Sequence, residues 1–288
     1  MLKRRELLFK VYLGLMHNRS ETEYTVATTS PPRRLLSIPP LPAKDLRARL
    51  CITDKMLPYM APCLDAIDLL WADPSSTYVR EARSRLRHRL SSHMKITTVD
   101  TAQVASAEQN EARVYRWWRS TLRGPLNVVD LQRFIAASTD GNGVLRTKPV
   151  WLRSQDGRTH LPMVAAKVAA QRLGELPAWL ASGALGTGML RAVRALALLV
   201  NAHPFKDGNG RLGRALFNFC LHNSGMPESC FVPLKSLSVF SEGGYEIRLR
   251  EAELFGRWDG LLSYHCDVID LCAWLSRVPT NHLAYREE

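Results

Sequence analysis

A chain of 288 residues with 46% hydrophobic and 23% charged side chains is long enough for one large domain, or for a core domain with an added helical segment, and its composition points to no special class. The most apolar internal stretch, residues 189 to 202, carries Arg191 and Arg194 and is too short to span a bilayer; six scattered cysteines without a Cys-x-x-Cys pair argue against a zinc site. The net charge of +12 is less ordinary, and much of it sits before residue 100.

That excess lies in Lys3-Arg4-Arg5, Arg33-Arg34 and the series Arg83, Arg85, Arg87 and Arg89. It reads as a solvated basic surface, with a nucleic-acid or acidic-partner patch as the alternative. Lys10 interrupts the apolar run after Lys3-Arg4-Arg5 and no small-residue cleavage site follows, so the N-terminus makes a poor signal peptide. The cysteines read as reduced, mostly buried thiols, and the expectation is a cytoplasmic protein without a membrane partner, with secretion into a host cell left open.

Residues 1–45 form a basic arm containing Pro, Ser and Thr, with Pro31-Pro32 and Pro39-Pro40-Leu41-Pro42 and no sustained periodicity, a composition that predicts flexibility. Residues 46–120 turn helical in character. Apolar side chains recur at three and four from Leu57 to Trp71 and from Val79 to Leu90, and Asp73-Pro74-Ser75-Ser76 marks the turn between those helices. The one convincing strand signal runs from Val150 to Leu161, where Asp156-Gly157 predicts a hairpin turn because glycine accepts positive φ. Helices are then predicted over 163–181, 189–202, 208–223, 244–255 and 258–275. The fold class is mainly α, with one small β-hairpin and a preceding N-terminal helical segment.

Chemistry concentrates in His203-Pro-Phe-Lys-Asp-Gly-Asn-Gly-Arg-Leu-Gly-Arg214. Pro204 disfavours helical geometry at the residue before it, so His203 stands at a helix end. Gly208-Asn209-Gly210 opens another helix, where unpaired N–H groups and the helix dipole favour phosphate. Arg211, Arg214 and Asn218 share one face of that helix and are predicted to reach toward ligand; Leu212, Leu216, Phe219 and Cys220 share the face that enters the core. A histidine, the acid Asp207, a glycine-framed nest and two arginines are the base, metal ligand and charge neutralisation that group transfer from a nucleoside triphosphate needs. On average residue usage these residues at these offsets arise by chance with a probability of about 10⁻⁸ per chain. Gly208 to Gly213 also satisfies Gly-x-Gly-x-x-Gly, but a Leu/Ala/Arg helix precedes it where a dinucleotide fingerprint requires a strand.

The segment resembles the signature of the Fic (Fic/Doc) family, His-x-Phe-x-[Asp/Glu]-Gly-Asn-Gly-Arg-x-x-Arg, at every fixed position. The resemblance implies a Fic-like helical core over residues 121–280 and AMPylation: AMP passes from ATP, with Mg²⁺, to a Ser, Thr or Tyr hydroxyl of a target protein, and pyrophosphate is released. It implies His203 as the base, Phe205 as a core anchor, Asp207 as the Mg²⁺ ligand, Gly208, Asn209 and Gly210 as the anion hole, and Arg211 and Arg214 on the outer phosphates. Gly143-Val144-Leu145-Arg146 is similar to the family's Gly-x-[Tyr/Leu]-Arg element. The hairpin beginning at Val150, Trp151 and Leu152 falls where these proteins carry the flap that docks the target as an added strand. Tyr245 falls in the region of the base pocket; Ser241-Glu242-Gly243-Gly244 replaces the Asn-Arg pair expected before it, which leaves the base open. The alternatives are UMP, phosphate or phosphocholine transfer, removal of AMP, or a non-enzymatic nucleic-acid binder using Arg116-Trp117-Trp118-Arg119.

Many family members carry an inhibitory glutamate that pairs with the last motif arginine. Val104, Glu108, Glu111, Tyr115 and Trp118 fall on one stripe, and two carboxylates on an apolar face want a buried cation, with Arg214 as a partner. Glu108 is the favoured inhibitory residue and Glu111 the second candidate; Ser238 to Gly243 fits the inhibitory pattern literally but lies in the base-pocket region. A homo-oligomer or a separate inhibitory partner is compatible with the sequence.

Overall fold

The computed structural model describes residues 42–62, 77–90, 111, 114–115, 118, 124–139, 143–153, 160–241 and 244–275. Nearly all of the predicted arm, the Asp73 turn, Glu108, the Asp156-Gly157 turn and the Glu242-Gly243 pair lie outside them.

The described part is mainly helical. In chain order it comprises α1 (Lys44–Met56), α2 (Thr77–Leu90), α3 (Val128–Ser138), β1 (Trp151–Arg153), β2 (His160–Pro162), α4 (Ala166–Ser182), α5 (Gly188–Ala202), α6 (Asn209–His222), α7 (Leu234–Val239), α8 (Gly244–Phe255) and α9 (Trp258–Leu275). β1 and β2 pair antiparallel with Leu152 opposite Leu161. Of the helix expected from Leu57 to Trp71, residues 63–71 lie outside the described residues, and α1 stands before its start. A 3-10 turn at Leu57–Tyr59 follows α1, because Pro58 has no N–H to continue the ladder, and Met60 is already extended. Helix α3 has no counterpart among the predicted helices and starts on a reciprocal cap: Asn127 accepts from the Asp130 N–H and Asp130 accepts from the Asn127 N–H.

Helix α5 is the centre of the molecule. Its Met189, Ala192, Val193, Ala195, Leu196, Ala197, Leu198 and Leu199 are all buried, and α1, α4, α6, α8 and α9 pack around it. An apolar helix of this kind is stable only when enclosed, which is why its polar end at Asn201 to His203 becomes a fixed point. Against it lies α6, made close by Gly213: a Cβ there would come within 2.6 Å of Val200 Cγ2.

No side chain of its own caps the start of α5; Asp54 of α1 does so, accepting from the Met189 N–H at 2.7 Å. Asp54→Ala is expected to destabilise the protein by about 1–2 kcal/mol, the usual worth of a helix-cap carboxylate, and Asp54→Asn by less, read as shifts in the denaturant midpoint. On the outer side Arg49 and Arg89 both grip Asp267 and Asp270, which sets the register of α1 and α2 on α9. Pairs this exposed contribute orientation more than stability.

Candidate phosphate-handling site

His203 ends α5 in the left-handed region, at φ 51° and ψ 56°, and is the one non-glycine residue with positive φ among those described. Its N–H still donates to the Leu199 carbonyl at 2.9 Å. A strained turn persists only where its surroundings hold it, and here Arg146 does so. Only 4% exposed, Arg146 donates Nε to the His203 carbonyl at 2.5 Å, Nη2 to Ala202 at 3.2 Å and to Val164, and Nη1 to Lys148 at 3.2 Å. The same guanidinium therefore ties the end of α5 to the segments that lead into β1 and out of β2.

The backbone around Arg146 reinforces this. Its N–H donates to the Pro204 carbonyl at 2.9 Å, and Leu145 bridges to Phe205, whose ring is wholly buried. Asn209 then closes the turn back on Phe205, accepting its N–H at 2.9 Å and donating to its carbonyl at 2.8 Å. The Asn209 side chain is a clamp within the loop, then, while its main chain joins the nest. Gly208, at φ 83°, caps α6; a Cβ there would come within 2.7 Å of Thr139 Cγ2. The N–H groups of Asn209, Gly210 and Arg211, the first turn of α6, have no carbonyl partner in the helix and form an anion-binding end.

These groups border a cleft of about 210 Å³ lined by His203, Asp207, the turn from Gly208 to Arg211, Arg214 and Lys235. Burial lowers the His203 pKa below its ordinary 6.5; the Val200 carbonyl pulls it up, the Arg146 and Arg250 charges push it down, and Asp207 pulls it up. The net effect keeps the imidazole neutral at neutral pH, as a proton acceptor must be. Arg250 is itself held by Asn201 at 3.0 Å and Glu253 at 2.5 Å.

The arginines are both engaged. Arg211 donates to Asp207 Oδ2 at 2.5 Å and to the Ser138 carbonyl at 2.6 Å. Arg214 Nε pairs at 2.8 Å with Glu111 Oε1, which also accepts the Lys235 N–H at 2.7 Å. Burial drives the Glu111 carboxyl above its ordinary pKa, against the pull of Arg214 and Lys235. Glu111 lies on a docked helical face: Val114 is fully buried, Tyr115 meets Phe231 edge-on at 5.5 Å, and Trp118 stacks on His222 at 4.6 Å. Of the two glutamates singled out from the sequence, it is thus Glu111 that reaches Arg214, while Glu108 lies outside the described residues.

Other sequence-picked residues fall elsewhere. Asn218, expected to face ligand with the arginines, is fully buried; it donates to the Arg214 and Val232 carbonyls and accepts the Val232 N–H, bracketing the chain before α7. Tyr245 is not among the cleft-lining residues; its ring packs 5.6 Å from Tyr264 and 5.9 Å from His265. Val150, Trp151 and Leu152 lie outside the cleft lining: Val150 precedes β1 and its carbonyl accepts the Met163 N–H at 2.9 Å, and Trp151 and Leu152 are in β1 with Trp151 42% exposed. Lys235 was missed because a lone lysine after Pro233-Leu234 carries no motif signal.

Residues 125–221 match the family model described as Fic/DOC family. Among solved structures, a Fic family protein from Desulfovibrio desulfuricans is similar with a TM-score of 0.53 at 14% identity, over 84% of this chain and 75% of that one, a likeness of fold. Also similar are Fic-1 from C. elegans, with a TM-score of 0.46 at 21% identity over 82% and 66% of the two chains, and BepC, a Bartonella tribocorum effector with bound AMPPNP, with a TM-score of 0.41 at 15% identity over 63% and 96%. Among curated protein sequences none matches the chain.

Proposed function

The chain belongs to the Fic/DOC family through residues 125–221, and from that premise we propose that it transfers AMP from ATP to a hydroxyl side chain of a target protein and releases pyrophosphate. The observation that carries this reading is a neutral His203 imidazole bordering the same cleft as the unpaired first-turn N–H groups of α6, Arg211 and Arg214. His203 takes the proton of the hydroxyl as its oxygen attacks the α-phosphorus. The first-turn N–H groups and the helix dipole stabilise the charge gathering on the α-phosphate, and the arginines hold the leaving pyrophosphate.

Asp207 fits a magnesium ion: its carboxylate is 74% exposed and borders the anion-binding turn, and a single carboxylate plus phosphate oxygens and water is how Mg²⁺ is commonly held beside nucleotides. Bound there, the ion would neutralise charge on the phosphates. Arg211, now paired with Asp207, would exchange that carboxylate for a phosphate oxygen.

Glu111 restrains the site. While it holds Arg214, that guanidinium is unavailable to the outer phosphates. The flap strand β1 offers an edge for a target segment, and Trp151 is the exposed apolar side chain on it.

Incubation with Mg²⁺ and each α-labelled triphosphate tests the reading. Label from ATP, on the protein itself or on another protein, that disappears with His203→Ala is the expected result. Preference for another base would reassign the nucleotide, and no His203-dependent label from any triphosphate, with Glu111 intact or replaced, would overturn the transfer.

Burial lowers the His203 pKa most, and Arg146→Gln removes one of the two charges that lower it further together with the donors that hold the His203 turn. Because a lowered pKa lets the imidazole stay neutral to lower pH, its loss moves the acid limb of the pH–rate profile to higher pH. A misplaced base should also cost about 100-fold in turnover. Arg146→Lys, which keeps the charge, should retain the position of the acid limb. A profile that does not move in Arg146→Gln would confine Arg146 to structure.

A further inference from the structure

Three cations border the cleft at the start of α6, and two are already held. Asp207 and the Ser138 carbonyl engage Arg211; Glu111 engages Arg214. The third, Lys235, lies at the beginning of α7, and its charge acts on the Glu111 carboxyl without closing an ion pair among the described residues. What does hold Lys235 is its main chain, whose N–H donates to the same Glu111 oxygen that pairs with Arg214. The Lys235 N–H at 2.7 Å and the ion-paired Arg214 Nε at 2.8 Å meet on one Glu111 oxygen, which places Lys235 beside Arg214.

A nucleoside triphosphate brings several negative charges into this cleft, and the terminal phosphates need more than one cation when Asp207 is drawn to metal. A flexible ammonium at the rim is a point charge suited to that role. We propose that Lys235 binds the outer phosphates of the nucleoside triphosphate, together with Arg214, once Glu111 has withdrawn. This rests on the transfer reading above. Glu111 then governs a pair of cations on two helices, and a phosphate oxygen replaces a carboxylate oxygen between them.

Any residue but proline at 235 keeps the main-chain N–H, so Lys235→Ala removes the ammonium and leaves the backbone donor in place. In the full-length Glu111→Gly protein, Lys235→Ala is expected to weaken ATP binding by about tenfold and AMP binding by less than about twofold, measured by calorimetry with Mg²⁺. Lys235→Arg should recover ATP affinity to within about threefold. In labelling assays the KM for ATP should rise with kcat little changed. Equal losses for ATP and AMP would mean a structural role, and no loss for either would mean no phosphate contact; each overturns the assignment. Failure of the transfer reading is separate: the Glu111→Gly parent would then give no His203-dependent label at all, whatever stands at 235.

Discussion

Glu111→Gly is expected to raise ATP affinity by about tenfold to a hundredfold and to raise labelling with it, the range a coupling free energy of about 1–3 kcal/mol covers. In the present arrangement the Arg214 guanidinium is spent on a carboxylate that is only 3% exposed, and a triphosphate must break that pair before it can use the arginine. Removing the carboxylate leaves Arg214 facing an open cleft. The same change should cost stability, because glycine in a helix is worth about 1 kcal/mol less than alanine, and because the main-chain contact to Lys235 is lost. Opposite signs in the two measurements, tighter ATP binding with a lower melting temperature, separate released inhibition from general loosening. Glu111→Gln keeps the shape and the acceptor without the charge, and should fall between. ATP affinity unchanged in both variants would mean that the Glu111–Arg214 pair is only a packing device.

His203→Ala should lower transfer by about 10³-fold, within the range that a positioned general base supplies. Its pKa, lowered first by burial, leaves the imidazole free to accept a proton at neutral pH, and no other histidine borders the cleft among the described residues. The backbone complicates the substitution: alanine at φ 51° is strained by roughly 1 kcal/mol or more. His203→Asn is therefore the better control, since asparagine tolerates the left-handed region and cannot serve as a base of comparable strength. Both variants should lose transfer alike, while Asn stays closer to the wild type in stability. Activity that survives in the Asn variant would move the base elsewhere.

The loop from His203 to Arg214 was legible in the sequence because its parts are contiguous. Proline after His203 ends one helix, glycine at 208 starts the next, and the histidine, acid, glycine-framed turn and arginines lie within twelve consecutive positions. Contacts between distant segments were not legible in the same way. Glu108 and Glu111 sit on the same stripe with equally imperfect flanks, and only the docking of Val114, Tyr115 and Trp118 against Phe231 and His222 brings Glu111 to Arg214. Helical spacing put Asn218 with the arginines, yet two turns along the helix the face has already entered the core, where its amide satisfies the Val232 backbone. Helix α3 went unread although its Asn127–Asp130 cap was a local signal. For Lys235 no local signal existed.

Under the proposed transfer a nucleotidyl group, with its α-phosphorus, moves to protein. The most direct measurement compares α-labelled with γ-labelled ATP on the Glu111→Gly protein and on Glu111→Gly/His203→Ala, each with Mg²⁺ and separated by denaturing gel. α label is expected to stay on protein in the first and to be absent from the second, with γ label leaving as pyrophosphate in the first. Retained γ label would mean phosphoryl transfer, and α label that persists without His203 would contradict the mechanism outright.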